Sequence, residues 1–182
     1  FVAAMNLDKD AFSKKINETI ESRGLEWTFE NLIVPFQKRM GLLWQAGTVT
    51  PAQEHFSSNL LREVLINAAI GVASSSKTTN KKILFFLPEG EFHEIGLLYF
   101  NYVASSEGFH TIYLGQNVPI ADVVEVATKQ GIEFLFSSFT ISLPQEVFLA
   151  TLDSLQSSVP KAKIFLTGYQ VEQNSSNIPS KI

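Results

Sequence analysis

The spacing of apolar residues changes once along this chain of 182 residues, and that change constrains the fold more than any single residue does. From Asp8 to about Ser76 the period is helical. Phe12, Ile16, Thr19 and Ile20 recur at spacings of three and four and stop at Arg23-Gly24, which predicts a first helix. Trp27, Phe29, Leu32, Ile33, Phe36, Met40, Leu43 and Trp44 continue the pattern from Glu26 to Gln45, with Pro35 expected to split the stretch into two shorter helices. Ala46-Gly47 ends that stretch and Thr50-Pro51-Ala52-Gln53 restarts it in the layout of a capping box, opening a long helix through Phe56, Leu60, Leu61, Val64, Leu65, Ala68 and Val72. Four helices of this kind predict a small bundle, residues 1–76.

The polar run Ser74-Ser75-Ser76-Lys77-Thr78-Thr79-Asn80 reads as a link, and beyond it, over residues 81–182, apolar runs alternate with amphipathic stretches. Ile83-Leu84-Phe85-Phe86-Leu87 has the continuous apolar character of a strand buried on both faces. Thr111–Gly115, Phe134–Ser138 and Lys163–Gly168 predict three further strands. Helices are expected within 91–107, 120–129 and 145–156. Such alternation predicts a doubly wound parallel sheet of Rossmann or flavodoxin type, whose ligands sit at the carboxyl ends of the strands. The tail from Tyr169 to Ile182 is too short for the further helix and strand that usually complete such a sheet, so this module is expected to be incomplete at that end. The start at Phe1, without a methionine, likewise predicts a piece of a longer polypeptide.

Composition limits the chemistry. The chain has no cysteine, which removes disulfides, thiolate zinc sites and thiol nucleophiles, and imidazole chemistry is confined to His55, His93 and His110. A net charge of −4 without a basic cluster argues against a grip on phosphate backbones by this segment. Apolar runs are too short for a membrane span and the N-terminus lacks a signal-peptide layout, so a cytoplasmic protein that does not enter membranes is expected. No nucleophile is paired with a base and no Gly-rich phosphate loop occurs, so the chain is not expected to be an enzyme.

The loop after the first strand reads Pro88-Glu89-Gly90-Glu91-Phe92-His93-Glu94-Ile95-Gly96. Glu91, two residues before His93, can accept a hydrogen bond from one imidazole nitrogen and leave the other as a ligand or base. Gly96 would let the opening helical turn pack close to sheet or ligand. Chemistry alone leaves a second reading open, a solvated loop histidine paired with a nearby carboxylate. His110 falls at the amino-terminal edge of the sheet and is expected to be structural.

Glu91-x-His93-x-x-Gly96, with Tyr113-Leu114-Gly115-x-x-Val118-Pro119 after the second strand, resembles the cobalamin-binding module whose signature is Asp-x-His-x-x-Gly. The resemblance implies that His93 replaces the cofactor's own base as lower ligand to cobalt, and that the displaced nucleotide tail enters a slot beside the sheet. The family marks that slot with Ser-x-Leu and Gly-Gly. The matching positions are Ser137-Ser138-Phe139-Thr140 and Thr167-Gly168, where Phe139 and Thr167 are departures expected to narrow the slot, and Glu91 for Asp is a milder one.

In the helical half, Trp44 followed after nine residues by Glu54-His55 is similar to the Trp-x9-Glu-His pattern in the cap of cobalamin-dependent, light-sensing regulators of the MerR type. Taken singly, these residues also suit a bundle-core aromatic and a first helical turn with Glu favoured by the helix dipole. The resemblance implies that they cover the upper face of the corrin and its adenosyl group. It implies a sensory domain holding adenosylcobalamin, or methylcobalamin, that self-associates as a dimer or tetramer and reaches DNA through a separate N-terminal domain. Gln45 stands where some members of that group have a second histidine. The alternatives are a corrinoid carrier for methyl transfer and a degenerate module without cofactor.

Overall fold

A computed structural model describes residues 1–73 and 79–178. Two compact units make up the chain, Phe1–Val64 and Leu65–Ile182. The division falls inside the long helix, whereas the expected link at 74–80 lies mostly outside the described residues.

In the first unit a short helix α1 (Val2–Met5) precedes α2 (Lys9–Arg23), which Asp8 caps by accepting the Ala11 N–H at 3.0 Å. Gly24, at φ +84°, ends α2 and leads into α3 (Leu25–Thr28). The break expected at Pro35 does not occur. A π-turn over Phe29–Ile33 joins α3 to α4 (Val34–Gln45), and Val34 donates to the Phe29 carbonyl five residues back. That wider turn gives the proline ring the room a regular turn would deny it, so one helical path runs from Leu25 to Gln45. The helix α5 (Pro51–Ala73) opens with the expected box: Thr50 N–H donates to Gln53 Oε1 at 3.0 Å and Gln53 N–H to Thr50 Oγ1 at 3.3 Å. Gln53 Nε2 also donates to the Met5 carbonyl at 2.9 Å, which ties α1 to the start of α5. Phe12, Ile16, Leu25, Phe29, Ile33, Met40, Leu60 and Leu61 are buried.

The second unit is a parallel sheet of strands β1 (Lys82–Pro88), β2 (His110–Val118), β3 (Phe134–Ser138) and β4 (Lys163–Thr167), in the order β2-β1-β3-β4. The connecting helices are α6 (Ile95–Ser106), α7 (Ile120–Gln130) and α8 (Gln145–Ser158), and α9 (Tyr169–Gln173) follows β4. Alternate strand residues build two cores, as the period of two requires. Leu84, Phe86, Leu135 and Ile164 pack with Val123, Ala127 and Leu155 of α7 and α8. Ile83, Phe85 and Leu87 pack with Leu97 of α6.

β1 pairs with β2 on one side and with β3 on the other, so successive connections leave β1 in opposite directions. The sheet therefore has its switch point at the carboxyl ends of β1 and β3. β2 runs three residues past the expected Gly115, because register shifts opposite Phe85–Pro88, with Gly115 at φ +83° and Asn117 at φ +55°, bend its end around the β1 loop.

Candidate cobalamin-ligand loop

Three strands converge on the loop after β1. Glu91 is fully buried, and its carboxylate accepts four N–H groups. Oε1 takes the backbone N–H of His93 at 3.0 Å and its Nδ1 at 2.6 Å. Oε2 takes the backbone N–H groups of Thr140 at 2.6 Å and Ile141 at 2.9 Å, in the loop after β3. Burial alone would raise the Glu91 pKa, but the hydrogen bonds from the His93 side chain, the His93 backbone, Ile141 and Thr140 favour the anion and together lower it from 4.5 to about 2. An ionised Glu91 can only accept, so His93 donates through Nδ1, and the neutral form of the ring then carries its lone pair on Nε2. The His93 side chain is 63% exposed while its partner carboxylate is not exposed at all. The arrangement is a buried, negatively charged socket holding an imidazole at the surface.

The end of β2 fixes the same loop from its other side. Asn117 Oδ1 accepts the Gly90 N–H at 2.8 Å, Asn117 N–H reaches the Glu91 carbonyl at 3.3 Å, and Gln116 Nε2 donates to the Phe92 carbonyl at 2.7 Å. Tyr113 donates through its hydroxyl to the buried Glu94 at 2.9 Å. Among these the positive φ of Asn117 has a weak local signal, since Asn tolerates that region better than other non-glycine residues. The partners of Gln116 and Tyr113 lie 24 and 19 residues away, so neither contact has a local signal, although Tyr113 itself belongs to the motif after the second strand.

The remaining sequence-predicted residues fall into three groups. Thr140 joins Glu91 through its backbone, and Val118 ends β2 opposite Pro88. Thr167 ends β4 and accepts the Phe139 N–H at 2.9 Å. Gly168, at φ +106°, lies so close to Phe139 that a Cβ would stand 2.5 Å from the Phe139 carbonyl oxygen, so glycine is required there by the protein itself. The Phe139 ring is fully buried edge-on to Phe148, with centroids 5.1 Å apart, beside Leu143 and Leu152, so its bulk is taken up under α8. Ser137 is buried opposite Phe86 and Leu166, and its Oγ has no hydrogen-bond partner among the described residues. Gly96 is the second residue of α6, and a Cβ there would meet nothing within 4 Å. Of the two expectations for Gly96, close packing to sheet or to ligand, the described residues show no close neighbour of the sheet at that position. His110 opens β2 with an exposed side chain, and its structural part is the backbone bond from its N–H to the Lys81 carbonyl at 3.0 Å.

Trp44, Glu54 and His55 belong to the other unit, on either side of the turn between α4 and α5. Trp44 is 52% exposed, which excludes a core aromatic. Glu54 accepts from Ser58 Oγ and faces His55 Nδ1 at 2.9 Å.

The donor set bears on what the loop can hold. Among the described residues no group of three or more His, Asp or Glu could hold a metal ion. Around the same sheet end, a Cβ at Gly96 would meet open space and the Ser137 Oγ lacks a hydrogen-bond partner among the described residues. Also among the described residues, no helix is long and apolar enough to cross a membrane.

Comparisons with known proteins point the same way. Residues 1–67 match the family model described as "B12 binding domain". The HTH-type transcriptional repressor CarH of Myxococcus xanthus is 28% identical over 159 residues, 87% of this chain and 52% of that protein, so the chain spans about half the length of this curated relative. The monomethylamine corrinoid protein of Methanosarcina barkeri has the same fold, with a TM-score of 0.78 at 18% identity over 97% of this chain and 87% of that one. The family-model match lies over the helical segment, and the fold shared with the corrinoid protein is a helical unit followed by a Rossmann-like module.

Proposed function

We propose that this chain binds cobalamin, with His93 as the protein ligand to cobalt, and serves as the sensory domain of a MerR-type transcriptional regulator. The observation that carries the reading is the Glu91–His93 pair, an imidazole fixed by a buried carboxylate at the switch point of the sheet. The relative named as a repressor supports the regulatory class. In this reading Glu91 orients His93 and keeps its proton on Nδ1, Gly96 leaves room for the macrocycle, and Ser137, Phe139, Thr140, Thr167 and Gly168 border the slot for the nucleotide tail. Trp44, Glu54 and His55 supply the groups for the upper ligand. Adenosylcobalamin is the form assigned, and when bound it would supply a cobalt–carbon bond that light can cleave. Ligand binding can shift the state of the protein only through a difference in affinity between states. Self-association as a dimer or tetramer is the state assigned to that shift. DNA is contacted by another part of the protein, in the cytoplasm.

The experiment is incubation in the dark with adenosylcobalamin, removal of free ligand, and gel filtration before and after illumination. The reading expects retained cobalamin and a change in size with light. Retention with no light effect would overturn the light-responsive part and favour a constitutive cobalamin sensor or a methyl carrier. Failure to retain any cobalamin would overturn the reading entirely.

A further inference from the structure

The two amides that hold Glu91 are themselves held, by a residue that nothing in the sequence marks. Gln170, in the first turn of α9, is 4% exposed. Its side chain pairs with both polar groups of one backbone residue: Oε1 accepts the Leu143 N–H at 3.2 Å and Nε2 donates to the Leu143 carbonyl at 2.9 Å. Its own backbone N–H donates to the Phe139 carbonyl at 3.0 Å. The segment from Phe139 to Leu143 is thus fastened to the chain after β4 at both ends, and between those ends lie Thr140 and Ile141, the donors to Glu91 Oε2. The close approach of Gly168 to Phe139 is a second, independent sign that this seam is built to tight tolerance. Asn174, also buried, donates to the Gln170 carbonyl at 2.9 Å and steadies the short helix from behind.

We propose that Gln170 is a positioning residue for His93, acting through the loop after β3 and the Glu91 carboxylate. Its part in cobalt ligation rests on the reading of His93 given above, but its action on the imidazole does not. An isolated buried amide that merely filled space would have no reason to pair with both groups of Leu143. That pairing fixes where the Thr140 and Ile141 N–H vectors point, and those vectors fix the plane of the carboxylate that receives Nδ1. The coupling runs through bonded neighbours at each step, from β4 across β3 to β1.

The test uses the full chain with 15N-labelled histidine and no cofactor, because the 15N shifts of the His93 ring report which nitrogen carries the proton. The expected wild-type state is the Nδ1–H tautomer. Gln170→Leu should move the ring toward the Nε2–H tautomer that an unrestrained imidazole prefers, in the same direction as Glu91→Ala, which removes the acceptor of Nδ1–H altogether. Gln170→Glu, which keeps an acceptor for the Leu143 N–H but sets a carboxylate oxygen against its carbonyl, should shift the ring in the same direction, and it carries the comparison if Gln170→Leu fails to fold. An unchanged His93 tautomer in a folded Gln170 variant, with Glu91→Ala shifted, would overturn the proposal. In cobalamin-loaded protein the same variants should lower the His-ligated fraction in the absorbance spectrum. A wild type that retains no cobalamin would overturn the cofactor reading and leave the tautomer result to decide the role of Gln170.

Discussion

Replacing Glu91 by Gln tests the socket most sharply. The substitution keeps shape and one carbonyl oxygen but turns the other oxygen into an NH2 group. Whichever way the amide is placed, its NH2 faces two N–H donors, either the pair on His93 or the pair on Thr140 and Ile141. Two charge-assisted hydrogen bonds are lost in a site with no water access, at about 1.5–3 kcal/mol each. A second route gives a similar size. The carboxyl titrates at about 2 in the folded chain against an ordinary 4.5, and at about 1.4 kcal/mol per pH unit that difference is worth about 3 kcal/mol. The sign follows from the direction: a lowered pKa contributes stability that is complete above 4.5 and is lost as pH falls toward about 2. Urea unfolding of wild type and Glu91→Gln should therefore differ by about 3 kcal/mol at pH 7, and by progressively less between pH 4.5 and 2. A difference below about 1 kcal/mol at pH 7, the size of an ordinary surface change, or one that stays constant down to pH 2, would refute the reasoning.

Two further substitutions separate fold from function. Gly168→Ala should destabilise the sheet unit by more than about 2 kcal/mol, because its Cβ would meet backbone atoms of Phe139 at 2.5, 2.7 and 2.9 Å in a conformation with φ +106°; a melting temperature equal to wild type would contradict that. Trp44→Ala should leave the unfolding free energy within about 1 kcal/mol, since the side chain is 52% exposed, yet reduce the preference between adenosyl- and methylcobalamin in competition binding. Equal preference in wild type and variant would remove Trp44 from the upper face.

The sequence carried the periodic and local parts of this structure well. The change from helical spacing to apolar runs gives the order of elements, and the Thr50–Gln53 box gives the start of α5, because both depend on residues within a few positions of one another. The Glu91–His93 hydrogen bond is also local, two residues apart. What joins that pair to the rest of the site is not. Thr140 and Ile141 lie 49 and 50 residues from Glu91, and Gln170 lies 27 from Leu143, so their contacts depend on strand order, which spacing does not encode. Pro35 misled for a different reason. Proline breaks a regular helix, but the π-turn over Phe29–Ile33 supplies a wider one, and no residue type announces that choice. Phe139, a departure from the family pattern, is a fully buried residue whose ring lies against Phe148, a pairing nine residues along the chain that the pattern itself does not announce.

The central claim is that His93 is the ligand this loop exists to present, and the cobalt spectrum tests it directly. Absorbance spectra of wild type and His93→Ala, each incubated in the dark with adenosylcobalamin and freed of excess, should differ: a His-ligated spectrum in wild type, and a base-off spectrum with weaker retention in the variant. His93→Ala removes one hydrogen bond from Glu91 but leaves its three backbone N–H donors and opens no cavity under the exposed ring, so the variant should remain folded and the comparison is between two intact proteins. The same spectrum and the same retention in both would contradict the account.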